Sequence, residues 1–181
     1  MTATPNRPSA APAPAPALAP ALDRAGAEAF LFREARLLDE GRWDDWLDLF
    51  APEGMYWVPL ARGQNDPVDH ASLFHEDALM REVRARRLQD AHAWSRQPAA
   101  RTARIVGNVQ VLDPAGDAGR GADLVVGSTF HLLEWHRGRQ RMLGGFYTHH
   151  LRLGPDGPRI LLKRVDLIDC DGAHDILEGF L

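Results

Sequence analysis

The chain has 181 residues, 45% of them hydrophobic, and a formal net charge of −4. That size and apolar content suit one globular domain with its own core, and the mild negative charge excludes the basic surface a nucleic-acid-binding domain needs. Cys170 is the only cysteine, so this chain alone can build neither an internal disulfide nor a cysteine-ligated iron–sulfur cluster, the Rieske type included. No stretch approaches the roughly 20 apolar residues of a membrane span, and no basic segment leads into an apolar one at the start. A cytoplasmic protein without membrane or nucleic-acid partners is the simplest expectation.

Residues 1–22 form a Pro/Ala tract that cannot bury enough surface to offset its ordering entropy, so it is expected to be a disordered tail. A single domain should then occupy 23–181. Ala27, Phe30, Leu31, Ala35 and Leu38 recur at helical spacing and predict a helix over about 25–40, stopped by Gly41. Trp43, Trp46, Leu47 and Phe50 give a second, shorter stripe, with Asp44 and Asp45 in its first turn where the helix dipole favours them. Residues 54–60 read as a strand ended by Pro59, and 61–71 as a loop. A third helix is predicted over about 72–88, with Leu79, Met80 and Val83 as its buried stripe and an Arg-rich far side. Residues 90–102 read as an ordered loop.

Beyond Arg101 the period becomes that of strands, expected at about 103–112, 122–136, 139–153 and 159–170. Arg137-Gly138 forms a tight hairpin, and residues 154–158 a second turn. Helices followed by a run of antiparallel strands make an α+β domain. In 139–153, Leu143, Tyr147, Leu151 and Leu153 alternate with Met142, Phe146 and Thr148. In 159–170, Leu161, Val165 and Leu167 alternate with Ile160, Leu162 and Ile168. A sheet with one wet face should alternate apolar and polar. Here both faces are apolar, so one packs on the helices and the other is covered by a second chain, or else the sheet curls around a pocket of its own.

Five segments, in order, resemble the small (beta) subunits of Rieske-type aromatic-ring-hydroxylating dioxygenases. FREARLLDEGRWDDWLDLFAPEGMYWVPL (32–60) resembles their opening, and FHEDALMREVRARRL (74–88) their third helix. AWSRQPAARTARIVGNVQV (93–111) resembles their Ala-Trp-Ser, Arg-Thr and Asn-Val run, although Ala100 stands where Ser is frequent. GRQRMLGGFYTHHL (138–151) and RILLKRVDLIDCD (159–171) resemble the last two strands. The resemblance implies a cystatin/NTF2-like cone: three N-terminal helices packed against a strongly curved, mostly antiparallel sheet. It implies a large (alpha) subunit carrying a [2Fe-2S] Rieske cluster and a mononuclear Fe(II), with no cofactor or metal in this chain. It further implies a three-plus-three hexamer with a beta trimer, electrons delivered from NAD(P)H through a reductase or ferredoxin, and dihydroxylation of an aromatic substrate. The ending around 163–171 resembles the subunits of aromatic-acid oxygenases.

Catalytic residues are therefore not expected. His149 and His150 are adjacent on a strand and point to opposite faces, which does not suit a shared metal ion. His70, His75, Glu76 and Asp77 could supply two His and a carboxylate, but the histidines lie five apart, and helix capping is the expected role. A free-standing NTF2-like isomerase or dehydratase would use Asp45, His75, Asp77, His131 or His149 as acid or base, and an NTF2-like binding module is a third reading. Trp and Arg are enriched at interface hot spots, which places Trp94, Arg101 and Arg104 near a subunit contact, together with Trp57 and Tyr147. Cys170 is expected to be a small buried residue.

Overall fold

The computed structural model describes residues 22–90, 98–114, 121–174, 176–177 and 179–181. The Pro/Ala tract through residue 21 and the Trp94 segment lie outside them. Helix α1 (Arg24–Asp39) starts where the Asp23 carboxylate accepts the Gly26 N–H at 2.8 Å. Its inward stripe is Ala27, Phe30, Leu31, Leu37 and Leu38, and it includes Glu34, whereas Ala35 is only half-buried. Gly41, at φ +67°, ends the helix in the left-handed region. Helix α2 (Trp43–Leu47) inserts Trp46, and Phe50 opens strand β1 (Phe50–Pro59) rather than completing the helical stripe.

The third predicted helix divides in two. Residues Ser72–Glu76 form strand β2, pairing antiparallel with β1 through Tyr56↔Glu76, Trp57↔His75 and Val58↔Phe74. Asp77 then caps α3 (Ala78–Gln89), accepting the Met80 N–H at 2.9 Å. The face of α3 is also the reverse of the prediction. Leu79, Met80 and Val83 are exposed, while Arg81 and Ala85 are buried. The wall that α3 meets explains the reversal. The Arg81 guanidinium lies 4.0 Å over the Phe50 ring and donates to the carbonyls of Gly54 (2.6 Å) and Glu76 (3.1 Å). Arg84 sits 3.6 Å over Phe74 and donates to the Glu76 carboxylate at 2.5 Å. A planar cation with a fork of donors satisfies both rings and carbonyls, which Leu or Met cannot do.

Strands β3 (Arg101–Leu112), β4 (Leu124–His136), β5 (Arg139–Gly154) and β6 (Gly157–Leu167) follow. The six strands form one curved sheet in the order β2-β1-β6-β5-β4-β3, antiparallel except where β1 runs parallel to β6. Arg137 and Gly138 both have positive φ, as a two-residue primed turn requires. The arrangement is the α+β cone implied by the family resemblance, with the helices inside the sheet's curve.

The inner face carries the core: Phe130, Leu132, Leu143, Tyr147, Val165 and Leu167 point toward α1 and α2. The outer face is divided. Over β1 and β6 the 60–71 loop closes it, because the Gln64 side chain binds the Leu60 N–H, the Asp66 carbonyl and the Ser72 hydroxyl, and Arg62 donates to the Ile168 carbonyl at 2.8 Å. Over β3 to β5 it stays bare, with Met142 and Phe146 more than half exposed.

Candidate functional site

The interior of the cone is polar at one point. Glu34 of α1, His149 of β5, Lys163 of β6 and Trp46 of α2 converge there, all at most 2% exposed. One Glu34 oxygen meets the Lys163 ammonium at 2.9 Å and accepts the Trp46 indole N–H at 3.0 Å. The other lies 2.9 Å from His149 Nε2. The Lys163 ammonium is 4.7 Å from the Tyr147 ring centre. Burial by itself pushes the Glu34 carboxyl up, but Lys163 and His149 beside it more than offset this and hold it far below the usual carboxylate range. Burial pushes the Lys163 ammonium down, with Glu34 opposing. The cluster therefore stays an ion pair, joining one helix to two strands.

Above it the cone is filled. The Phe180 ring packs 4.2 Å from Trp46 and 5.6 Å from Tyr56, and the Leu181 N–H donates to the Tyr56 hydroxyl at 3.0 Å. Arg104 donates to the Phe180 carbonyl and pairs with Asp39, whose other oxygen accepts the Arg104 backbone N–H at 2.7 Å. Tyr147 stacks on Phe130 at 4.0 Å, and burial raises its phenol well above the ordinary value. The chain's own aromatic side chains thus pack the interior beside the buried cluster.

The five acid–base candidates do not come together. Asp45 is exposed and paired with Arg42 at 2.8 Å, His75 is exposed on β2, Asp77 caps α3, and His131 is exposed on the outer face. Only His149 reaches the interior. His150 is also buried, and Cys170 is buried as expected. Among the described residues no group of three or more His, Cys, Asp or Glu side chains could hold a metal ion.

The five interface candidates are placed differently from one another. Trp57 is buried under the 60–71 loop, donating to the Ser72 hydroxyl at 2.9 Å with the Arg164 guanidinium 4.4 Å from its ring. Tyr147 and the Arg104 guanidinium are also engaged inside the chain. Arg101 is exposed, opposite Trp135, and Trp94 lies outside the described residues. Arg101 and Arg104 do meet in a cleft of about 450 Å³ at the cone mouth, shared with Trp43, Leu88, Glu134 and Arg141. Periodicity overlooked Glu34, Lys163 and Arg81. The available signals were an acid on the apolar stripe of α1 and the sequence's one lysine directly after the run Ile160-Leu161-Leu162.

The chain is similar to known proteins in sequence and in fold. The family model described as ring hydroxylating beta subunit matches residues 33–171. The chain belongs to the ring-hydroxylating beta subunit family. The 2-halobenzoate 1,2-dioxygenase small subunit of Burkholderia cepacia is 32% identical over 164 residues, covering 84% of this chain and 92% of that protein. The crystal structure of the benzoate 1,2-dioxygenase beta subunit of Burkholderia mallei ATCC 23344 superposes with a TM-score of 0.65 at 27% identity, over 81% of this chain and 91% of that one. A naphthalene 1,2-dioxygenase structure shares the fold, with a TM-score of 0.72 at 21% identity over 87% and 85% of the two chains. As a ring-hydroxylating beta subunit, the chain is part of an aromatic-ring-hydroxylating oxygenase.

Proposed function

We propose that this chain is a non-catalytic structural subunit that holds a large oxygenase subunit in a three-plus-three hexamer. The observation that carries this reading is the closed interior: the ionisable groups a free-standing enzyme would need are locked to one another under Trp46 and Phe180. A subunit of this kind needs rigidity and an outer surface rather than a pocket. The [2Fe-2S] cluster and mononuclear Fe(II) then belong to the large subunit, which receives electrons from NAD(P)H through a reductase or ferredoxin and dihydroxylates the ring. The halobenzoate and benzoate enzymes among the relatives support an aromatic acid as the substrate class. Among the described residues no helix is long and apolar enough to cross a membrane, and we place the complex in the cytoplasm, beside its source of reducing equivalents.

Arg101, and Trp94 with it, is assigned to a subunit contact; Trp57, Arg104 and Tyr147, proposed for the same role from sequence, have their side chains engaged within the chain. The test is co-expression with the cognate large subunit, followed by size-exclusion chromatography with light scattering and iron analysis of each chain. A mixed hexamer with all iron in the large chain is the expected result, and Arg101→Glu should weaken it. A small chain that elutes alone, or that turns over a small molecule by itself, would overturn the reading.

A further inference from the structure

Strand β3 ends the sheet, so its outer edge has no strand partner. Asp39 of α1 takes the Arg104 N–H at 2.7 Å from that outer side. Backbone polar groups alternate sides along a strand, so the N–H and C=O of Val106 and the C=O of Arg104 also point away from β4. Among the described residues nothing bonds to those three groups. Beside them runs a groove of about 450 Å³ between α1 and the edge, lined by Phe32, Ala35, Arg36, Glu40, Ile105 and Val106. Phe32 is 50% and Ile105 73% exposed. The charges of the groove are already paired, Arg36 with Glu40 at 3.8 Å and Arg104 with Asp39. Such an edge invites a further strand, and this groove suits one that is extended, uncharged and apolar.

The chain carries a segment of that kind near its start. Between residues 8 and 20 the prolines are Pro8, Pro12, Pro14, Pro16 and Pro20, all at even positions, and no residue is charged. Every odd position keeps its N–H, at Ser9, Ala11, Ala13, Ala15, Ala17 and Ala19. In an extended strand the odd residues therefore turn donors and acceptors to one edge, and the opposite edge has donors only at Ala10 and Leu18. Proline is tolerated in sheets at just such an edge, with its missing N–H toward solvent. Each proline also holds the residue before it in the extended region, so the segment loses less chain entropy on docking than a free tract of other residues would. We propose that residues 11–19 add to β3 as a new edge strand, pairing through their odd-numbered alanines and closing the sheet to further strands. Tethering favours the chain's own segment over any other. Leu22 packs on the core at the start of α1, and Phe32 lies eight residues past Arg24, about 12 Å along the helix. The 21 residues before Leu22 span up to ~65 Å when extended, enough to reach any part of β3 at a millimolar effective concentration.

The experiment is hydrogen–deuterium exchange resolved to single amides. It compares the wild-type chain, a chain lacking residues 2–19, the double variant Ala13→Pro with Ala15→Pro, and Leu18→Pro. In the wild type the Val106, Ala13 and Ala15 amides should be protected. The deletion and the double variant should speed Val106 exchange by about tenfold or more, as the loss of two hydrogen bonds dictates. Leu18→Pro, which removes a donor from the solvent edge only, should exchange like wild type. The double variant turns residues 12–16 into an all-proline run that stays extended, so its loss of protection reports missing donors and not a change in reach. Ile105, paired with His131 of β4, is the internal standard and should not change in any form. Equal Val106 exchange in the wild-type and deleted chains overturns the proposal, as do equal effects of the double variant and Leu18→Pro. Protection of Val106 that fades on dilution makes the occupant a segment of a second copy, which also overturns it. None of these outcomes bears on the subunit reading, which stands or falls by its own test.

Discussion

Replacing Glu34 by Leu tests the account of the interior most directly. The side chains are similar in volume, so little cavity opens, but the Lys163 ammonium loses its carboxylate and the Trp46 N–H its acceptor. Breaking a buried pair by removing one partner costs about 3–5 kcal/mol, and the lost indole bond is contained within that figure because both contacts share one carboxylate. For a domain of this size each kcal/mol shifts the melting temperature by about 2–4 °C, so a fall of about 6–20 °C is expected at neutral pH by circular dichroism. Adding Lys163→Met removes the stranded charge, and the double variant should regain most of the loss. The pH dependence has a definite sign. The Glu34 carboxyl lies far below its unfolded value of 4.5, so its stabilisation is complete above about pH 4.5 and is lost as the pH falls. The gap between wild type and Glu34→Leu should therefore narrow in acid. The Lys163 ammonium lies below its unfolded value of 10.5, so between its folded value and 10.5 the unfolded chain holds more protons and stability rises with pH. That alkaline gain should be larger in Glu34→Leu, which lacks the opposing carboxylate. A single variant that melts within about 2 °C of wild type, or a double variant no better than the single, would refute the reasoning.

Leu79→Ser should change denaturant-measured stability by less than about 0.5 kcal/mol, because Leu79 is 66% exposed, and a loss above about 2 kcal/mol would return it to the core. Arg81→Leu, by contrast, leaves the Gly54 and Glu76 carbonyls without their buried donor and should cost about 2–4 kcal/mol in urea titration. Phe180→Ala empties the box formed with Trp46 and Tyr56, and a loss of about 3–5 kcal/mol is expected by the same method. Gly145→Ala sets a methyl 2.1 Å from the Asp166 carbonyl oxygen, a contact that backbone must move to relieve. Thermal melts should show it destabilised by about 1–3 kcal/mol.

Local chemistry determined much of this protein. Asp23 and the apolar spacing behind it fixed α1, Gly41 its end, and Arg137-Gly138 the β4–β5 hairpin, since each depends on residues within one or two turns of itself. The ordered segments from Phe32 to Asp171 pointed to the family and to its cone. Tertiary structure decided the rest. Residues 72–76 read as helical until β1 offers them a ladder of partners. The inward face of α3 is set by the Phe50 ring and the Gly54 carbonyl, so arginine is buried and Leu79 and Met80 are exposed. Trp57 and Tyr147 look like surface anchors in sequence, yet a loop covers one and Phe130 the other. Glu34, His149 and Lys163 lie up to 129 residues apart, and only the curvature of the sheet brings them within 3 Å of one carboxylate. Periodicity reports which side of an element is apolar. Which charges find partners on that side depends on long-range pairing, and here that pairing closed the interior and left the outer face bare.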